Sequence, residues 1–204
     1  MVSRVGRPRE HNDATREALR VAAERLFEAH GPEGVSVRAL ADEVGTTTRA
    51  VYSLFGSKDG LVLDALAHRA YEVLTAALND HSETADPVSD LIDMAPSVFR
   101  RFVLDHPALF RITFQRAVPG FAPGPELLAA RAAGLQRLTA KVQRLEHAGL
   151  LEHKPLQQAV IEYQAMCEGL GNFEMRGTTM RMLEPGQEDR IWREAFTSLI
   201  GSFR

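Results

Sequence analysis

A chain of 204 residues, 45% hydrophobic and 25% charged, has the make-up of an ordinary globular protein and is long enough to bury a core in one domain or two small ones. Its single cysteine, Cys167, excludes an internal disulfide framework and a multi-cysteine zinc site, and reads as a small buried hydrophobe in a reducing compartment. A net charge of −3 argues against a broad basic field that coats nucleic acid, yet Arg4, Arg7 and Arg9 all precede the first acid, Glu10, so basic character gathers in an N-terminal arm.

The opening MVSRVGRPRE has no apolar stretch of signal-peptide type, and no apolar run reaches the roughly 18 residues that span a bilayer. Both features predict a cytoplasmic protein. Abundant Ala, Leu, Glu and Arg with few β-branched runs predict an all-α fold. Ala14, Ala18, Val21, Ala22, Leu26 and Phe27 recur at three- and four-residue steps, the stripe of an amphipathic helix from Asn12 or Asp13 to His30. Gly31-Pro32-Glu33-Gly34 reads as the turn after it.

Ser36 is placed to cap a short helix that buries Val37, Leu40, Ala41 and Val44. Gly45 ends it. Thr46 or Thr47 opens another, with Ala50, Val51 and Leu54 inward and Thr48, Arg49 and Ser53 outward. Ser57 then caps a long fourth helix through Leu61, Leu66, Ala70, Leu74 and Leu78, with Asp59 in its first turn. A polar loop follows from Ser82 to Pro87, then one or two helices marked by Leu91, Met94, Val98, Phe102 and Leu109 and interrupted near Pro107. The stretch from Ala117 to Pro125, with three Pro and two Gly, is irregular, and helices resume at Glu126–Ala148, Leu156–Arg176 and Asp189–Phe203.

Two short helices with a small turn residue and apolar side chains between them are what a helix-turn-helix needs, because the second helix must be held firmly to enter a major groove. Ser36 to Phe55 meets that need: Ala41 is small at the crossing, Gly45 permits the turn, and Val51 plugs the interface. Spacing alone leaves open any two short amphipathic helices. Arg49 can bond two acceptors of guanine at once. Lys58 opposes the helix dipole at a helix start, which favours a role toward an outside anion. Tyr52 is suited to a phosphate contact, to packing as a partly buried ring, or to both. The arm with Arg7 and Arg9 fits a narrow minor groove or the phosphates, and equally an unbound tail.

The stretch GVSVRALADEVGTTTRAVYSLFGSKDGL resembles the DNA-binding signature of the TetR family, including Tyr52, Phe55 and the Ser57-Lys58-Asp59 start of the fourth helix. The resemblance covers Asn12 to Leu66. It implies an all-helical fold with a basic arm over 1–11, a DNA-binding domain over 12–58 and a ligand-binding, dimerising domain over 59–204. Position by position, it implies phosphate contacts from Ser36, Thr47, Tyr52 and Lys58, and base reading by Thr48, Arg49 and Ser53. Arg49 and Leu54 depart from residues common in the family. The implied function is a repressor, homodimeric on near-palindromic double-stranded operator DNA and released by an apolar or amphipathic small molecule, with the fourth helix as lever. No cofactor, metal or membrane is implied.

In the C-terminal body, the last two helices present Ile161, Ala165, Phe173, Trp192 and Leu199 as candidates for a face between two copies. Met94, Phe99, Phe102, Phe110, Phe114, Tyr163 and Met166 wall a ligand cavity or fill the core. The stretches around His106 and Glu168–Gly177 resemble a TetR subgroup with a Trp-then-His-Gly signature, except that Gln164 and Glu168 stand where the Trp and His would be. An enzyme is disfavoured because His11, His30, His68, His81, His106, His147 and His153 are scattered, and no metal pair, nucleophile elbow or glycine-rich phosphate loop is present. A helical adaptor for protein contacts is the stronger rival.

Overall fold

The computed structural model describes residues 9–115, 121–152, 154–177, 184 and 186–203, and for 9–12, 28 and 31–34 the backbone alone. The described residues contain helices and no strand. The expected stretch from Met1 to Pro8, Arg7 included, lies outside them.

Helix α1 spans Arg9–Gly34, α2 Val37–Val44, α3 Thr48–Phe55 and α4 Lys58–Asp80. α1 is longer than expected at both ends, so Asn12 and Asp13 lie within the helix rather than capping it. Acids near a helix start suit its dipole. Neither Gly31 nor Gly34 adopts a positive φ, so the expected turn does not form there. Glycine permits a left-handed stop without imposing one, and the chain instead leaves the helix just before Val35, which is anchored in the core at 1% exposure.

The buried face of α1 also differs from the expected stripe. Leu19, Ala22 and Ala23 are buried, while Ala14, Ala18 and Val21 are exposed. The face turns because two arginines occupy it: Arg20 is buried among Glu17, Glu24 and His68, and Arg16 lies against Asp64. An apolar period cannot reveal a face that charged side chains enter with their partners.

Two compact units emerge: one comprises residues up to Arg69 with Gln115–Ala129, and the other Ala70–Phe114 with Ala130–Arg204. This division falls after Arg69, further along α4 than the expected boundary after residue 58, and a distant segment gathers with the first unit. The return is held by Asp64, which is fully buried and accepts from the Gly124 N–H at 2.8 Å and from Arg16 at 3.0 Å. That signal depends on a contact between residues sixty apart in sequence.

In the second unit, α5 (Pro87–Met94) runs into a π-helical turn over Ala95–Arg100 and then α6 (Arg101–Asp105). Pro96 sits in the wide turn, having no N–H for the α-helical ladder. α7 (Pro107–Phe110) and a second π turn (Arg111–Gln115) follow, then α8 (Pro125–His147), which belongs to the second unit from Ala130 onward, α9 (Leu156–Arg176) and α10 (Glu188–Gly201). Asp86 caps α5 by accepting from the N–H groups of Val88 and Ser89. The unit's core gathers Leu91, Met94, Val142, Leu145, Tyr163, Trp192, Phe196 and Phe203. Its polar groups are paired: the Tyr163 hydroxyl donates to the Leu91 carbonyl at 2.7 Å, and Trp192 Nε1 donates to Glu174 at 3.2 Å.

No helix among the described residues is long and apolar enough to cross a membrane.

Candidate functional site

The first unit holds α3 against α1 and α2. Gly45, at φ 70°, makes the left-handed stop after α2, and its N–H returns to the last turn. Thr47 caps α3, its hydroxyl oxygen accepting from the Ala50 N–H at 3.1 Å. Val51 is fully buried and Phe55 nearly so, which pins the inner face of α3.

Thr48, Arg49 and Ser53 are all exposed, so the three predicted base readers share the outer side of one helix. Arg49 has no ion-pair or hydrogen-bond partner among the described residues. Tyr52 is 52% exposed, which leaves its hydroxyl end outside the core. Ser36 precedes α2 in extended conformation, but its hydroxyl makes no capping bond, contrary to expectation, and stays exposed. Lys58 begins α4 in a half-buried position, with Asp59 behind it, and Ser57 accepts from the Gly60 N–H at 2.9 Å. Arg9 opens α1, and its side chain lies outside the described residues, as does the whole of Arg7. One basic residue went unmarked in the sequence. Arg38 is exposed in the first turn of α2, two residues beyond Ser36, and the outward phase of that helix would have identified it.

The end of α3 is fixed by Arg16. Its guanidinium donates to the Leu54 carbonyl at 2.7 Å and to Asp64 at 3.0 Å, and lies 4.4 Å from the centre of the Phe55 ring. Helix α3 is thus tied by its C-terminal carbonyl, through Arg16, to α1 and α4.

The second unit contains a cavity of about 90 Å³. Four of the seven residues predicted for a pocket line it: Phe99, Phe102, Phe110 and Phe114. The other three do not. Met94 and Tyr163 are fully buried in the core, and Met166 packs against that core. Periodicity places apolar side chains inside, but it cannot separate a filled interior from a wall. Tyr71, Arg131, Gln164 and Glu168 complete the polar part of the lining. Gln164 and Glu168 are the two departures noted in the sequence, and they sit one helical turn apart with Gln164 Nε2 donating to Glu168 Oε1 at 2.8 Å. Cys167 lies between them in sequence and lines the same cavity; burial pushes its thiol well above the usual range.

Of the residues predicted for a face between copies, Ile161 is 66% exposed, Phe173 is 45% exposed, and Ala165 is exposed between them on α9. Trp192 is fully buried within its own unit and belongs to the core, because its indole N–H finds Glu174 inside. Leu199 packs partly against that core. Among the described residues, no three His, Cys, Asp or Glu side chains gather as a metal set.

Residues 19–65 match the family profile described as bacterial regulatory proteins, tetR family, and residues 96–199 match the profile for a tetracyclin repressor-like C-terminal domain. The HTH-type transcriptional regulator Rv1816 of Mycobacterium tuberculosis is 28% identical over 128 residues, covering 62% of this chain and 54% of that protein. The match thus spans about half the length of that relative. A protein of unknown function from Rhodococcus sp. RHA1 is similar at 24% identity with a TM-score of 0.66, over 93% of this chain and 95% of that one. The regulator RolR, solved with resorcinol, is similar at 16% identity with a TM-score of 0.62, over 95% and 91%. These two likenesses are of fold.

Proposed function

Because the chain belongs to the TetR family of bacterial regulatory proteins, we propose that it is a cytoplasmic homodimeric repressor that holds a near-palindromic operator through α3 and releases it to a small apolar or amphipathic effector. The observation that carries this reading is the outer side of α3, where Thr48, Arg49 and Ser53 stand exposed on a helix locked from within by Val51, Phe55 and the Arg16 hydrogen bond to Leu54. A recognition helix needs that pairing of rigid seat and free side chains.

Arg49 reads a guanine through two donors, an interaction worth about 1 to 3 kcal/mol of discrimination. Ser36, Thr47, Tyr52 and Lys58 serve the phosphates, which fix register and carry no sequence information. Arg7 from the arm and Arg9 from the start of α1 add affinity, through the minor groove or its flanking phosphates. The exposed Ile161, Ala165 and Phe173 of α9 form the apolar face that a second copy covers, and a twofold pair then carries two copies of α3 to two half-sites. The cavity in the second unit receives the effector, which acts through its different affinity for the DNA-bound and released states.

The test is selection of bound fragments from the source genome by the purified protein, followed by titration of the selected site across a salt series. A near-palindrome is expected. Arg49→Ala should blur one base position in each half-site, while Lys58→Ala should weaken every sequence and lower the salt slope by about one. Absence of enrichment at low salt overturns the repressor reading and leaves the helical body as a protein-binding module.

A further inference from the structure

The cavity of the second unit has a lining specific enough to name the chemistry of its guest. Five aromatic rings contribute to the wall, Tyr71 and Phe114 meeting edge to face at 6.2 Å and Phe110 and Phe114 lying 5.3 Å apart. Rings so arranged offer both faces and edges, which suits a flat aromatic guest better than a puckered aliphatic one. Size sets the next limit. An apolar cavity of about 150 Å³ admits a benzene ring, so the roughly 90 Å³ here limits the guest to a single ring and requires side chains of the wall to give way to it.

The polar groups of the wall decide its charge. Glu168 uses one carboxylate oxygen to accept from Gln164, leaving the other for a donor. Tyr71 and Arg131 have no hydrogen-bond partner for hydroxyl or guanidinium among the described residues. Burial holds the Tyr71 hydroxyl above its usual range, Arg131 draws it down and Glu168 pushes it up, so both charges act at that one hydroxyl, which stays protonated. A carboxylate guest meets Glu168 and an ammonium guest meets Arg131, whereas a neutral hydroxyl donates to the first and accepts from the second.

We infer that the cavity selects a small neutral phenol, its ring against the aromatic wall and its hydroxyl among Tyr71, Arg131 and Glu168. This assignment rests on the cavity being the effector site, but binding can be measured without DNA. Calorimetric titration of the full chain at neutral pH with phenol, benzoate, benzylamine and cyclohexanol should show phenol bound at least tenfold tighter than the other three. Glu168→Gln should reduce the preference for phenol over benzoate at least tenfold. Gly134→Leu should abolish phenol binding, since Gly134 lines the cavity and a Cβ there lies 3.7 Å from the Tyr71 ring. The half-buried Glu168 keeps the test readable if the leucine variant does not fold. Equal binding of benzoate or benzylamine, or binding of none of the four, overturns the assignment. Phenol binding that fails to release a selected operator refutes the effector reading and leaves the phenol site standing.

Discussion

Arg16 concentrates the physics of the first unit in one side chain. It gives a hydrogen bond to the Leu54 carbonyl, another to a fully buried carboxylate, and its flat face to Phe55. Removing it strands Asp64 in the interior with the Gly124 N–H as its remaining hydrogen bond among the described residues. Loss of one partner from a buried pair costs about 3 to 5 kcal/mol, far more than the pair contributes net, because the surviving charge is left desolvated. Arg16→Ala and Asp64→Ala should therefore each lower unfolding free energy by about that amount, and the double variant by clearly less than the sum. Chemical denaturation of the four proteins checks this. Additive losses would mean that the two side chains act independently despite their 3.0 Å contact.

At the scale of elements, α2 and α3 are joined through a single residue that must turn left-handed. An L side chain in that conformation costs about 1 to 2 kcal/mol, so Gly45→Ala should lower the melting temperature by several degrees even though nothing lies within 4 Å of the added Cβ. Gly169→Ala makes the control: its position is also open, but it is helical, and alanine there should stabilise by up to about 1 kcal/mol. Thermal melts distinguish the two. If Gly45→Ala melts like the parent, backbone strain is not what glycine relieves at that turn.

The same contrast explains what could be read in advance. Local chemistry identified α2, α3 and α4 because Gly45, Thr47 and Ser57 act on their own neighbours, and α9 has the bounds Leu156–Arg176 that its sequence suggested. The outward side of α3 followed from its period. What stayed hidden depends on groups distant in sequence: the buried arginine face of α1, the return of Gly124 to Asp64, and the polar wall of the cavity. Met94 and Tyr163 were indistinguishable from Phe102 and Phe110 until the packing showed which of them border empty space.

Across the whole molecule, cations and carboxylates pair within each unit: Arg20 with Glu17 one turn apart on α1 in the first, and Arg144 with Asp90, Lys141 with Glu83 and Lys154 with Glu162 in the second. Burial alone raises Asp90, but hydrogen bonds from Arg144 and Thr84 outweigh it and hold the carboxyl below the usual range. The Arg20, Lys141 and Lys154 hydrogen bonds hold Glu17, Glu83 and Glu162 down in the same way. A carboxylate whose folded pKa lies below its unfolded value contributes stability that is fully present above the unfolded value and disappears as pH falls through the folded one. These carboxylates should thus leave the melting temperature level from pH 7 to about 5 and lower it progressively below about 4, with a separate decline on acidification through about 6.5, where the unfolded imidazole takes up a proton that burial makes His81 resist in the fold. Asp90→Asn should melt below the parent at neutral pH, since Arg144 and Thr84 lose a charged acceptor, and the gap should narrow toward pH 3 as the parent's own carboxylate is protonated. A gap that stays constant from pH 7 to 3 would show that Asp90 acts through shape and hydrogen bonding, with no contribution from its charge.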